Sequence, residues 1–316
     1  MTSDRGRAAT TPARISRSGW RDILLRTKDE SRTDRVVLLS AGVAFYALLA
    51  MVPALIALVS IVGLVADPTT IERDVRDFLG TAPQEVRDLI SEQLQAISAD
   101  ARAGAVLTAI LGIVVALWSA SSGVGHLLEA INTAYDEEES RGFVRRKALA
   151  LSLTLGAVLF LALTFVLIGA LPGIIADTGL GVVGRVLLGA LRWFVLVAGM
   201  VVAMAVIYRY GPDRADARWS WITPGALVAT VLWVVGSAIF AAYTANFGTY
   251  NETYGSLGAV VVLMLWLFLT AFAVIFGAEL NAEAEKQTAR DTTTGSARPL
   301  GERRAVAADT VAPAPE

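Results

Sequence analysis

Residues 36–66 read VVLLSAGVAFYALLAMVPALIALVSIVGLVA, thirty-one consecutive residues without a charged side chain. A helix that crosses the roughly 30 Å hydrocarbon layer of a membrane needs about 20 apolar residues, because each residue adds about 1.5 Å. The run is longer than one crossing requires, so the helix must tilt, bend or protrude from the bilayer. Pro53 lies inside it and removes the hydrogen bond to the Leu49 carbonyl, which predicts a kink.

Five further uncharged or nearly uncharged segments follow the first one. The six predicted spans occupy residues 36–66, 103–128, 148–171, 186–208, 219–243 and 257–278. Only helices and closed barrels satisfy their backbone hydrogen bonds in lipid, and the segments show no strand-like alternation. The predicted fold class is therefore all-α, a polytopic membrane bundle of six transmembrane helices within residues 31–285. A basic tail at 1–30 precedes it, and a tail at 286–316, which lacks periodicity and aromatic residues, is predicted to be disordered.

The composition agrees with a membrane protein and excludes several other classes. Hydrophobic residues make up 55% of the chain and charged residues 18%, whereas soluble domains have roughly 45–50% and about 25%. The chain has no cysteine, which excludes disulfides, thiolate nucleophiles and cysteine metal sites. Its polar first 35 residues contain no apolar core of the signal-peptide type, so no cleaved leader is expected.

The distribution of basic residues predicts the orientation of the bundle. Of the 27 Lys and Arg residues, 21 lie in the two tails and in the loops between spans two and three and between spans four and five. Basic loops stay in the cytoplasm, so both termini are predicted to be cytoplasmic. The basic N-terminal tail either binds anionic lipid headgroups or only fixes the orientation. The nine bases of residues 1–35 are offset by five acids, so no nucleic-acid partner is predicted.

Residues 67–102 form the one sizeable loop predicted on the external side. Apolar residues at helical spacing in TTIERDVRDFLG and PQEVRDLISEQLQAI predict two short amphipathic helices there. Two interpretations remain open for this short external helical loop. It either packs against the bundle as structure or forms a lid over an external opening.

The stretch WSASSGVGHLLEAINTAYDEEE, residues 118–139, contains the only histidine of the chain. About 20 residues carry the second span across the bilayer by Ser122, so the residues that follow are expected at the inner interface. Five polar residues at helical spacing share one face of this helix: Ser122, His126, Glu129, Thr133 and Asp136. The opposite face is apolar and contains Val124, Leu127, Leu128, Ile131 and Tyr135.

Two interpretations of this polar face remain open. A helix that leaves lipid is amphipathic for that reason alone. Alternatively, the face lines a cytoplasmic vestibule in which Glu129 lies near Arg145, Arg146 or Arg209. A nearby carboxylate favours charged histidine, which makes His126 a candidate pH-sensitive element.

Three more residues are candidates for function. Pro53 is either a static kink or a hinge for alternating access. Arg192, within the fourth span, either snorkels to the outer headgroups or faces the bundle as a cation that attracts an anionic headgroup. Glu279, at the inner end of the sixth span, is a second candidate buried charge, with Arg209, Arg145 or Arg146 as expected partners.

Four blocks of the sequence, in order, resemble the YihY/virulence factor BrkB family. They are AGVAFYALLAMVPALIALVSIVG, LWSASSGVGHLLEAINTAYDEEESRGFVRRK, YRYGPDRADARWSWITPGALVATVLW and YGSLGAVVVLMLWLFLTAFAVIFGAELNAE. The resemblance covers about residues 30–285 and implies six spans in a bacterial inner membrane. It also implies a link to envelope integrity, serum resistance and export of envelope lipids. Some members of the family carry an old ribonuclease label.

An enzymatic function is disfavoured by the residues themselves. Metal-dependent phosphodiesterases need clustered His and Asp ligands, and one histidine cannot supply such a cluster. No glycine-rich phosphate loop precedes a lysine, so neither a metal nor a nucleotide cofactor is predicted. The expected function is transport or handling of an amphiphilic envelope component such as a lipid, with membrane lipids as partners. The alternative is a scaffold for envelope assembly that transports nothing.

Overall fold

The computed structural model describes residues 5–63, 103–170, 181–245 and 256–313. Eight α-helices lie within these residues: α1 Arg17–Thr33, α2 Val36–Gly63, α3 Ala103–Ala134, α4 Phe143–Phe165, α5 Val182–Tyr210, α6 Trp219–Ala245, α7 Ser256–Lys286 and α8 Val306–Asp309. A 3₁₀ turn precedes α1 at Pro12–Arg14, and a π-helical turn at Val166–Ala170 continues α4. The predicted external loop at 67–102 lies outside the described residues.

The helices confirm the predicted fold class, an all-α polytopic membrane bundle. In the described ranges, five helices are long and apolar enough to cross a membrane on their own: Leu111–Ala134, Phe143–Ile168, Val183–Tyr210, Trp219–Thr244 and Val260–Lys286. The helix α1 and residues Val36–Met51 of α2 meet this criterion only as a pair, and they are bent by 63° from one another. The described residues therefore contain five helices that could span a membrane, or up to six if the bent pair forms one span.

Three helices extend at least five residues beyond the spans predicted for them, all at the end of the bundle where α1 enters α2. We call this the basic end. Here α3 continues to Ala134, α4 begins at Phe143 and α7 continues to Lys286. The prediction counted apolar residues, but a helix does not stop where the hydrocarbon stops. Polar side chains at these helix ends find partners in the protein, so the helical hydrogen bonds continue.

Small residues bring α6 and α7 into close contact. A Cβ atom on Gly225 would overlap the Gly277 carbonyl oxygen, so only glycine fits there. The Gly225 N–H donates to Asn281 Oδ1 at 2.7 Å, and Asn281 Nδ2 donates to the Ile222 carbonyl at 3.1 Å. Close backbone approach between small residues is a usual source of helix association in membranes, where no hydrophobic force drives it.

Buried ion pairs join the helices at the basic end. Arg214, between α5 and α6, binds both carboxylate oxygens of Glu285, at 3.0 and 2.7 Å. Both side chains of this pair are almost fully buried. Arg26 of α1 donates to Glu283 Oε2 at 2.6 Å. Removing one member of such a pair leaves an uncompensated buried charge and typically costs about 3–5 kcal/mol.

The predicted disorder of residues 286–316 is wrong for the part that the structure describes, which runs to residue 313. Thr288 and Thr292 are fully buried, and Arg303 is 3% exposed. The Arg303 guanidinium donates to carbonyl oxygens of Arg290 and Ala289, among others, at 3.3 and 2.8 Å. The sequence lacks an apolar stripe because polar contacts with the α5–α6 loop and the N-terminal residues hold this segment instead.

The carboxylate of Asp291 anchors the C-terminal segment. It accepts hydrogen bonds from the Thr293 N–H, the Thr293 hydroxyl and the Arg298 N–H at 2.9, 2.7 and 2.8 Å. Burial acts to raise the pKa of Asp291, but these hydrogen bonds outweigh it and hold the pKa below its ordinary value. The charged form is therefore favoured more in the folded segment than in the unfolded chain.

We expect this segment to loosen in acid. Because the pKa of Asp291 is lower in the folded state, its stabilisation is complete at neutral pH. It is lost as the pH falls below about 4, through the depressed value. Hydrogen exchange of residues 287–313, corrected for the intrinsic pH dependence, measures this. Asp291→Asn should lower protection at neutral pH and flatten its pH dependence, whereas Glu302→Gln, an exposed control, should change neither. Full protection in Asp291→Asn would contradict the assignment.

Candidate functional site

An apolar cavity of about 270 Å³ lies between α2, α3, α4 and α7. Its lining includes Ala47, Ala50 and Met51 from α2 and Gly123 and Leu127 from α3. The lining residues with polar side chains are Thr154 of α4 and Thr270 of α7. Their hydroxyls donate to carbonyl oxygens one turn earlier in their own helices, at 2.7 and 2.9 Å. The wall of the cavity therefore offers a ligand almost no polar group.

The cavity opens at the surface of the bundle beside α4. Ala157 and Leu161 line it and are also exposed, so its rim lies on the face that lipid covers in a membrane. Pro53 lies between Met51 and Ala54, which both line the cavity, and it is inside α2 as predicted. A hinge at Pro53 would change the shape of this cavity, and that role stays a prediction.

Gly123 sets the distance between α2 and α3 beside the cavity. A Cβ atom added there would lie 2.8 Å from the Ala50 Cβ and 3.2 Å from the Tyr46 carbonyl oxygen. Real Cβ atoms essentially never come as close as 2.8 Å to another heavy atom. The two helices therefore approach closely because Gly123 has no side chain.

A group of polar side chains adjoins the cavity toward the basic end. The His126 ring stacks on the Tyr46 ring, with centroids 3.6 Å apart and planes at 17°. His126 Nδ1 lies 3.2 Å from Glu129 Oε2, and Arg146 of α4 forms an ion pair with Glu129 Oε1. We call these four residues the polar cluster. Tyr46 precedes the lining residue Ala47, and His126 precedes the lining residue Leu127, so the cluster lies beside the cavity along α2 and α3.

The five predicted polar-face residues do not form one site. His126 and Glu129 join Arg146, one of the three arginines expected near Glu129. Ser122 and Thr133 are exposed. Asp136 follows α3 with a left-handed backbone, φ 56°, and accepts from Lys286 Nζ at 2.8 Å. The opposite face packs inward as a helix on a bundle should, and Leu128, Ile131 and Tyr135 are fully buried.

The two other predicted charges lie apart from the polar cluster. The Arg192 guanidinium carbon is 5.6 Å from the Trp193 ring centroid, and its Nε atom is buried without a partner among the described residues. Glu279 is 2% exposed. Its side chain lies close to the Asp34 carboxyl and not beside an expected arginine, and its Oε1 atom has no hydrogen-bond partner among the described residues. Asp34 lies in the link between α1 and α2. The spacing of the predicted spans could not show that this link lies beside Glu279.

Tyr46 and Lys147 were missed by the sequence reasoning. Lys147 Nζ donates to the Trp118 carbonyl at 2.9 Å and lies 4.5 Å from the Trp118 ring centroid. Tyr46 lies within an uncharged, mostly apolar run of the sequence. Both contacts join residues far apart in the chain, so no local pattern reveals them. A tyrosine inside a span, whose hydroxyl needs a partner, was the one available signal.

The loop between α3 and α4 holds Arg146 near Glu129 and is itself fixed by charged hydrogen bonds. Arg141 donates to Glu139 through Nε and Nη2 at 2.7 and 2.6 Å. This interaction holds the pKa of the Glu139 carboxyl below its ordinary value. Asp213, after α5, accepts from the Ser140 N–H at 2.7 Å. Burial acts to raise the pKa of Asp213, but the hydrogen bonds from the Ser140 N–H and hydroxyl outweigh it and hold the pKa below its ordinary value.

The fold and the cavity define the class of this molecule, a multi-pass α-helical membrane protein with an apolar site between its helices. The chain belongs to the virulence factor BrkB family, which matches residues 27–300. It is 31% identical over 256 residues to a putative ribonuclease-like protein, YfkH, of Bacillus subtilis, covering 78% of this chain and 90% of that protein. The family resemblance noted in the sequence is confirmed.

Shorter matches connect the chain to proteins named UPF0761 membrane protein. One from Alteromonas mediterranea is 38% identical over 82 residues, 26% of this chain and 27% of that protein. Another, from Tolumonas auensis, is 36% identical over 77 residues, 24% of this chain and 25% of that protein. No solved structure matches the chain. The relatives support a membrane protein family and assign no substrate.

The close contact at Gly123 leads us to expect that a larger residue there lowers the stability of the protein. Gly123→Ala should destabilise the protein by about 1–3 kcal/mol, because the added methyl group overpacks the seam between α2 and α3. Gly125→Ala is the matched control, since a Cβ there has nothing within 4 Å. It should be neutral or stabilising by up to about 1 kcal/mol through helix propensity. Unfolding in detergent, followed by circular dichroism, measures both. Equal stability of the two variants would contradict the close contact of α2 and α3 at Gly123.

Proposed function

We propose that this protein moves an anionic lipid of the bacterial envelope between the leaflets of the inner membrane. One acyl chain of the lipid occupies the apolar cavity, and the headgroup lies at the polar cluster. The observation that carries this proposal is that the cluster lies beside the cavity along α2 and α3, because an amphiphile needs an apolar and a polar site side by side.

The size and chemistry of the cavity favour an acyl chain as its occupant. Sites for drug-sized ligands have about 300–1,000 Å³. A cavity of about 270 Å³ therefore suits part of a lipid and not a whole one. A buried amide or hydroxyl group without a hydrogen-bond partner costs roughly 2–7 kcal/mol. Since the wall offers almost no partner, it selects a hydrocarbon chain against a polar solute.

The polar cluster favours an anionic headgroup. Arg146 and Glu129 are about one-third and one-half exposed, so a phosphate can reach the guanidinium. Arginine binds phosphate through two parallel hydrogen bonds, and a headgroup phosphate would take the place of the Glu129 carboxylate. His126, held at Glu129 and against Tyr46, would add positive charge when protonated.

We also infer that the basic end faces the cytoplasm, since it carries the loops and tails rich in Lys and Arg. Because the chain has no cysteine, a single Glu302→Cys variant can report the side of the membrane. An impermeant maleimide should label it in inverted vesicles and not in intact spheroplasts. Labelling in intact spheroplasts would reverse the orientation and put the polar cluster at the outer leaflet.

Two other functions deserve comparison with lipid transport. A scaffold without transport fits the bundle and its folded C-terminal segment, but it gives the cavity no role. The ribonuclease-like name of the Bacillus relative would require a hydrolytic centre. Within the described ranges no group of three His, Asp or Glu side chains could hold a metal ion, and Glu129 is already paired with Arg146. Lipid transport uses both the cavity and the cluster, so we favour it.

Translocation of fluorescent lipid in proteoliposomes tests the proposal. The wild-type protein should move anionic lipid between leaflets. Ala157→Phe fills the rim of the cavity and should slow this by about tenfold or more, since losing about 1.4 kcal/mol of binding is a tenfold change. Ala148→Phe is the control, on the same helix and exposed but outside the cavity lining. No translocation by folded wild-type protein would favour the scaffold, and an unimpaired Ala157→Phe would exclude this cavity as the route.

A further inference from the structure

Helix α1 leaves the bundle obliquely. It is joined to α2 by Asp34 and Arg35 and is bent by 63° from the first part of α2. Arg35 has a left-handed backbone, φ 53°, which lets the chain turn so sharply. Along the axis of α2, a helix at this angle descends only about 0.7 Å per residue instead of 1.5 Å. Most of its length therefore runs perpendicular to the axis of α2.

One face of α1 packs against the bundle. Gly19, Asp22, Ile23 and Thr27 are buried on it. Arg26 is on the same side and pairs with Glu283 of α7. These contacts fix the rotation of α1 about its axis, so its opposite face points away from the bundle.

The opposite face is basic and apolar. Arg17, Arg21, Lys28 and Arg32 are exposed on it, and Leu24 and Leu25 between them are 53% and 39% exposed. At 100° per residue, all six side chains fall within a sector of about 100°, and no acidic residue shares it. Asp29 is about 40° outside its edge by the same spacing. Exposed leucines among basic residues are typical of a helix that lies in a membrane interface.

The depth of α1 fits the headgroup layer. Val37 and Leu38, in the first turn of α2, are 62% and 64% exposed, so lipid covers the bundle at that level. At about 0.7 Å per residue, Leu25 lies about 7 Å below Val36 along the α2 axis. The headgroup region on each side of the hydrocarbon is about 5–7 Å thick. Leu25 therefore lies near the water-facing edge of the headgroup layer.

We propose that α1 is an interfacial helix that binds the anionic surface of the inner leaflet. Leu24 and Leu25 insert among the lipid headgroups, and the four basic side chains bind lipid phosphates. The link of two residues to α2 holds α1 at the membrane surface, which favours lipid over a soluble partner protein. The basic stripe complements anionic headgroups in charge. This proposal needs the basic end to be cytoplasmic but does not depend on the cavity or on transport.

Spin labels on the full-length protein test the location of α1. The chain has no cysteine, so Leu24→Cys takes a single label without background. In nanodiscs containing phosphatidylglycerol, collisions with oxygen should exceed those with a water-soluble nickel complex. Glu302→Cys, in the exposed part of the C-terminal segment, is the aqueous control. A label at position 24 as accessible to nickel as the label at 302 would overturn the proposal.

Charge variants test the anionic surface separately. Arg21→Gln combined with Lys28→Gln and Arg32→Gln should raise nickel accessibility at position 24 about threefold or more in anionic nanodiscs. The wild-type helix should show a similar rise in nanodiscs of phosphatidylcholine alone. Equal shielding in neutral and anionic nanodiscs would overturn the assignment to anionic lipid. None of these readouts depends on lipid translocation, so failure here and failure of the transport proposal are distinguishable.

Discussion

The absence of water within a bilayer is the constraint on which this structure depends. Each backbone N–H and C=O group in lipid must find its partner within the protein, so every spanning segment is helical. Lipid is as apolar as leucine, and hydrophobicity therefore cannot hold the helices together. Contacts between small residues do so instead, at Gly123 between α2 and α3 and at Gly225 between α6 and α7. The cavity lies beside the Gly123 contact, between α2, α3, α4 and α7.

Charge follows the same constraint and gives the bundle its asymmetry. The described ion pairs lie at the basic end, where Arg214 meets Glu285 and Arg26 meets Glu283. A charge in mid-bilayer is expensive, so charged side chains collect at the helix ends and pair there. The polar cluster, which contains the ion pair of Glu129 and Arg146, lies beside the cavity. Its members are more exposed than the buried pairs, which leaves them free to exchange partners with a ligand.

Much of the fold could be predicted from the sequence, because an apolar helix in lipid has a strong and local signal. The helices lie where six uncharged segments indicated, and the buried face of α3 at Leu128, Ile131 and Tyr135 followed from its spacing. The helix ends could not be predicted. Nothing local shows that Lys286 continues α7 in order to bind Asp136, a residue 150 positions earlier.

Only half of the candidate site could be predicted. The pairing of His126 and Glu129 with an arginine follows from helical periodicity and the basic loop nearby. The cavity does not, since alanines and glycines on four helices carry no pattern that distinguishes a lining from ordinary packing. The C-terminal segment was misjudged for a related reason. Its order depends on polar contacts such as those of Arg303, whereas composition reports only the lack of an apolar core.

An experimental structure in nanodiscs of native-like lipid tests the central claim most directly. We expect elongated density for one acyl chain between α2, α3, α4 and α7, in the cavity lined by Ala50 and Leu161. Headgroup density is expected within hydrogen-bonding distance of Arg146. A cavity closed by its own side chains, with ordered lipid only on the outer faces of the bundle, would show that lipid does not use this site.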